Sequence, residues 1–125
     1  MECYERTLLA NCLDPHNMGL LDDADGVGRV GEVTEGKFAI VFIAVEGERL
    51  AEVRYLVRGD CEFIAACSAL SDLATGKTIA EARTLGGRDV ALALGDSQAA
   101  SAEHCEAVVI ALRRALADYA RRQGS

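Results

Sequence analysis

The side chains able to hold a soft metal or act as nucleophiles are few: five cysteines (Cys3, Cys12, Cys61, Cys67, Cys105) and two histidines (His16, His104). Thiolate sulfur matches iron, and tetrahedral zinc accepts cysteine, histidine and carboxylate together. The cysteines are odd in number, form no Cys-x-x-Cys pair and follow no apolar leader, so a disulfide framework is not expected and the reducing cytoplasm is the expected location. His104 and Cys105 are adjacent at the expected start of a helix, where the positive dipole end favours thiolate. Neighbours in one helix point about 100° apart, so they make a poor nucleophile–base pair and an enzyme is not expected.

Bland readings compete at each position. Cys67 shares a helical face with Phe63 and Leu70 and reads as core. Cys105 continues a stripe through Val109 and Leu112, so pattern alone allows a core thiol as readily as a ligand. Cys3 and Cys12 lie on a first helix without histidine or acidic partners at ligand spacing and read as incidental. His16, after Pro15, reads as a solvated surface histidine. Asp22, Asp23 and Asp25 lack the closing glutamate of a calcium loop and read as a solvated acidic turn.

The elements that must position these groups follow from periodicity. Tyr4, Leu8, Leu9 and Cys12 predict a short first helix, stopped at Asp14-Pro15 because the residue before proline is driven out of the α region. Residues 17–36 are rich in glycine and acid and predict a loop holding at most a short edge strand over 28–33. Residues 37–45 and 50–58, joined through Glu46-Gly47-Glu48, predict a β-hairpin with one strand more buried than the other. Phe63, Cys67, Leu70 and Ala74 mark a helix ending at Gly76. Thr78 and Glu81 stand at capping-box spacing for another helical piece. Residues 90–94 form a short apolar segment and 95–101 a mobile loop. Cys105, Val109, Leu112, Leu116 and Tyr119 then predict a long amphipathic last helix. The order of elements favours α+β.

Composition bounds the rest. The 125 residues fit one domain spanning 1–125, half of them hydrophobic and about a quarter charged. Twenty acidic against 13 basic residues, a net charge of -7, give no footprint for nucleic acid and disfavour acidic membrane surfaces. No apolar run approaches the about 20 residues of a membrane span.

Several segments, in this order, resemble the NifU/IscU-type scaffold domain on which iron–sulfur clusters are assembled. Asp14-Pro15-His16-Asn17-Met18-Gly19 resembles its Asn-Pro-Arg-Asn-x-Gly segment, and Val27-Gly28 leads toward its first ligand loop. Val53-Arg54-Tyr55 precedes a turn at Gly59. Ile64 to Leu70, Gly76-Lys77-Thr78, and His104-Cys105 before a closing helix to Tyr119 follow in register. The resemblance covers about residues 4–122. It implies a SufE/NifU-like α+β fold, with a small three-stranded antiparallel sheet and helices packed on it.

It also implies a transient iron–sulfur cluster, or zinc, at one end of the domain. The family's first ligand cysteine falls on Glu35 and its aspartate on Lys37. The second cysteine falls on Asp60, with Cys61 one residue later, so either Asp60 or Cys61 is the second-loop ligand. His104 and Cys105 match the third. The expected donors are therefore Asp60, Cys61, His104 and Cys105, with Glu35 as a weaker addition. Lys37 offers a different arrangement, a metal-free site in which it pairs with Asp60 or Glu35. The implied partners are a cysteine desulfurase and iron–sulfur acceptor proteins, the chain being a monomer or weak homodimer. An adaptor that keeps the fold and binds a desulfurase or a complete scaffold, without a cluster of its own, is the competing expectation. Gly95-Asp96-Ser97-Gln98 replaces the family's proline-rich chaperone loop.

Overall fold

The structure, a computed structural model, describes residues 3–96 and 102–124, with only the backbone described at 3, 4, 33 and 102–104. Helix α1 (Cys3–Leu13) precedes strand β1 (Gly26–Glu32), a single 3₁₀ turn at Val33–Glu35, and strands β2 (Lys37–Glu46) and β3 (Arg49–Arg58). Helices α2 (Cys61–Ala74), α3 (Ile79–Arg83), α4 (Gly87–Ala93) and α5 (Ala102–Gly124) follow. The sheet is antiparallel in the order β1-β2-β3. This is the α+β architecture expected of the sequence. The expected mobile loop at 95–101 lies, from residue 97 on, outside the described residues.

The hairpin turns through Gly47, at φ 66°, a conformation that favours glycine. Its two strands alternate alike. Ala39, Val41 and Ile43 of β2 and Val53 and Tyr55 of β3 are buried, whereas Ile40, Phe42 and Leu56 are half-buried. The expected difference in burial between the two strands is slight, β3 having one more exposed residue than β2. The unbroken apolar run of β2 fills one face with core residues and gives the other a partly covered apolar surface, which period-two geometry permits.

The buried face receives α2 through Phe63, Ala66 and Leu70 and α5 through Val108, Leu112 and Leu116. The glycine-rich approach is more ordered than its composition suggests. β1 pairs with β2 from Gly26↔Ile43 to Glu32↔Lys37. Gly28 lies so close to α5 that a Cβ there would overlap the Ala111 carbonyl oxygen and the Ala115 nitrogen. Asp118 of α5 accepts a hydrogen bond from Val27 N at 2.9 Å and is ion-paired with Arg121 and Arg122, so β1 is tied to the last helix by packing and by charge.

Local rules account for the shorter helices. Thr78 and Glu81 form the expected capping box of α3. The short apolar segment expected at 90–94 belongs to α4, which begins earlier, at Gly87, because Asp89 accepts from Gly86 N and Glu106 from Gly87 N, satisfying the donors at the helix start.

Candidate functional site

Three chain segments meet at one end of the sheet. Lys37 opens β2 opposite Glu32, and Phe38 pairs with Arg58 at the close of β3, so the 3₁₀ turn carrying Glu35 lies beside the link into α2. α5 runs antiparallel to β1: Gly26 abuts Ala115 and Tyr119, while Gly28 abuts Ala111 and Arg114. The helix start therefore lies toward the Glu32/Lys37 end. Glu35, Asp60, Cys61 and the His104-Cys105 turn are thus on segments that the topology brings to the same edge.

Their side chains do different work there. Asp60 is the N-cap of α2; its carboxylate accepts from Phe63 N at 2.9 Å, satisfying one of the open donors of the first turn. Lys37 lays its ammonium 4.9 Å from the centre of the Phe63 ring, a cation–π contact. No ion pair joins it to Asp60 or Glu35 among the described residues, so the metal-free pairing expected of it is replaced by this contact. A Cβ at Gly59 would come within 2.8 Å of Phe63 Cδ2 and 3.4 Å of Lys37 Cγ, which shows how tightly the first and second loops are packed.

Cys61, the first residue of α2, is disulfide-bonded to Cys12 near the end of α1, with Cα atoms 5.3 Å apart and a sequence separation of 49. Cys12 was expected to be incidental and disulfides to be absent; both expectations are corrected. The two cysteines have no local spacing signal, and only the packing of α1 on α2 brings them together. That packing carries a polar network. Ser68 donates to Asn11 at 2.6 Å, His16 N donates to Ser68 Oγ, and Asn17 donates to both Ser71 and Asp72. His16 Nδ1 lies 2.7 Å from Asp72 Oδ2, so this surface histidine belongs to an ion pair.

Cys105 is 2% exposed and Cys67 equally so. Burial, and then the neighbouring Cys105 thiol, push the Cys67 thiol up to about 12, which keeps it protonated and inert. Cys67 is the core residue its helical face predicts. The His104 side chain lies outside the described residues. Among the described residues, no three histidine, cysteine, aspartate or glutamate side chains are grouped to hold a metal ion. The segments converge, but among the described residues their donors do not.

A three-stranded antiparallel sheet backed by two helices, with three loops gathered at one end, defines the scaffold class of α+β domain. Residues 3–125 match the NifU-like N terminal domain family, and the chain belongs to it. Iron-sulfur cluster assembly scaffold protein IscU 1 of Archaeoglobus fulgidus is 36% identical over 121 residues, covering 97% of this chain and 79% of that protein. The scaffold protein IscU of Aquifex aeolicus is 32% identical over 124 residues, covering 97% and 78%. Among solved structures, a nitrogen-fixing NifU-like protein (N-terminal) from Brucella abortus superposes with a TM-score of 0.73 at 15% identity, over 96% of each chain. The putative SUF-system scaffold of Fervidobacterium islandicum superposes at 0.68 and 12% identity, over 93% and 95%, which supports the same fold. Both of the curated relatives are named iron–sulfur cluster assembly scaffold proteins. Among the described residues, no helix is long and apolar enough to cross a membrane.

Proposed function

We propose that this chain acts in iron–sulfur cluster assembly as a scaffold-type protein without enzymatic activity, taking iron, a nascent cluster or zinc transiently at the sheet end where its three loops meet. The observation that carries this reading is the antiparallel placement of α5 on β1, which brings the His104-Cys105 turn to the edge that also bears Asp60 and Cys61. Asp60, Cys61, His104 and Cys105 are the donors, with Glu35 as a weaker fifth. Two thiols, an imidazole and a carboxylate match zinc or a mixed-ligand iron site better than an all-thiolate cluster. Loading requires that Cys61 be released from Cys12, Asp60 turn from its cap and Cys105 emerge from the core. The partners are a cysteine desulfurase and iron–sulfur acceptor proteins, in the cytoplasm, with no role for nucleic acid or membrane.

The test is anaerobic reconstitution of the reduced protein with ferrous iron and sulfide, read by visible absorbance and by iron content. A coloured protein whose iron falls in Cys61→Ser and Cys105→Ser is the expected result. A colourless protein without bound iron overturns it.

One observation favours a second reading, an adaptor that binds a desulfurase or a complete scaffold without a cluster of its own. Lys37 places its cationic side chain on Phe63, in the first loop. Binding to a cysteine desulfurase by a protein that takes up no iron distinguishes this reading from the first.

A further inference from the structure

The disulfide has a placement that a merely structural bridge does not need. Cys12 and Cys61 are both partly exposed, whereas Cys67 and Cys105 are buried. Their 5.3 Å Cα separation lies within the range that a disulfide spans, so the bond forms and opens without large backbone movement. The bridge joins the last turn of α1 to the first turn of α2, elements that remain held together by other contacts. Ser68 bonds Asn11 and His16, Asn17 bonds Ser71 and Asp72, and Leu8 packs against the core. Opening the bond therefore leaves the two helices docked and the two sulfurs facing each other.

We propose that Cys12 and Cys61 form a redox-active thiol–disulfide switch, oxidised stoichiometrically by peroxide and reduced by a protein or small-molecule dithiol. In oxidation, one cysteine thiolate attacks a peroxide oxygen to give a sulfenic acid and release water. The second thiol displaces the sulfenic oxygen as a second water, and the S–S bond forms. Two electrons and two protons leave the pair and reduce one hydrogen peroxide to two waters. In reduction, a dithiol's thiolate bonds to one sulfur of the pair and expels the other as thiolate. The second thiol of that dithiol then resolves the mixed disulfide, so the incoming dithiol ends oxidised and both cysteines end reduced. The state of the couple decides whether the Cys61 sulfur is available at the start of α2. The couple stands independently of whether that sulfur ever binds iron.

The experiment equilibrates the full-length chain in dithiothreitol buffers of graded potential, followed by alkylation and peptide mass spectrometry, with circular dichroism on each sample. Cys12 and Cys61 are expected to pass together from unlabelled to labelled in a single two-electron transition and to return on stoichiometric hydrogen peroxide. Cys67 and Cys105 are expected to stay unlabelled until the protein is denatured. In Cys12→Ser, Cys61 is expected to be labelled before peroxide and to form no intramolecular disulfide after it, ending as a labelled thiol or as a sulfenic acid trapped by dimedone. Independent labelling of the two cysteines, failure of the bond to re-form, or loss of the folded signal on reduction would each overturn the proposal. Iron uptake by the reduced protein, measured in parallel, tests the scaffold reading separately: its absence counts against that reading and leaves the alkylation result to judge the couple.

Discussion

Tyr55, 1% exposed in the middle of β3, donates its hydroxyl proton to the His16 carbonyl oxygen at 2.7 Å, while its own carbonyl accepts from Gly19 N at 2.9 Å. One core residue thus clamps residues 16 and 19, in the first half of the loop that leads from α1 to β1. Burial holds the phenol far above its ordinary pKa, so it remains a donor at any pH the fold survives.

Tyr55→Phe keeps the ring and removes the donor. The variant should lose about 1 to 2 kcal/mol in urea unfolding, because the His16 carbonyl is left with a poorer partner. An unchanged midpoint would mean that the loop is held by Asn17 and Gly19 alone.

Asp60 can be examined as a cap separately from its candidacy as a ligand. Asp60→Ala should cost about 1 kcal/mol through loss of the α2 cap, whereas Asp60→Asn, which still accepts from Phe63 N, should be nearly neutral in stability. Iron uptake by Asp60→Asn then reads the carboxylate without a folding defect. Equal destabilisation by both substitutions would show that charge, not capping, is what the residue contributes.

Gly28 is where α5 rides directly on the strand backbone. Gly28→Ala puts a methyl group against backbone atoms of Ala111 and Ala115, which cannot move aside as a flexible side chain can. The expected penalty is about 3 kcal/mol, seen as a large drop in thermal midpoint or as insoluble expression. A wild-type midpoint would show that α5 can lift from β1.

The His16–Asp72 pair makes stability depend on pH with a defined sign. The hydrogen bond and charge of Asp72 raise the His16 pKa, so the folded value lies above the unfolded one. The resulting stabilisation is fully present below the unfolded value of about 6.5 and disappears as pH rises through the folded value. Because both side chains are about half-exposed, the effect is small and is screened by salt. Proton NMR titration should show His16 titrating at lower pH in Asp72→Asn than in the parent. Identical titration curves would remove the ion pair from the account.

Elements with strong local signals were legible in the sequence. The α3 capping box, the hairpin at Gly47 and the buried stripe of α5 each rest on spacing within a few residues. The end of the sheet that gathers Glu35, Asp60 and Cys105 was legible through resemblance. What those side chains do there was not, because each role is set by a neighbour distant in sequence or by backbone geometry. Lys37 meets Phe63, Cys61 meets Cys12 and Cys105 influences Cys67. The firmness of residues 26–28 was also hidden, because glycine there serves close helix contact and its composition reads as loop.

The bridge between Cys12 and Cys61 also draws a closed circuit in the chain. All three strands lie inside that circuit, and α2 to α5 hang from it, beyond Cys61, as an open tail. A single protease cut inside the circuit, for example at the acidic turn of residues 22–25, leaves one covalent molecule that separates into two pieces only after reduction. A cut in the tail separates at once, so the same enzyme gives different gel patterns for the sheet and helical halves of one small domain.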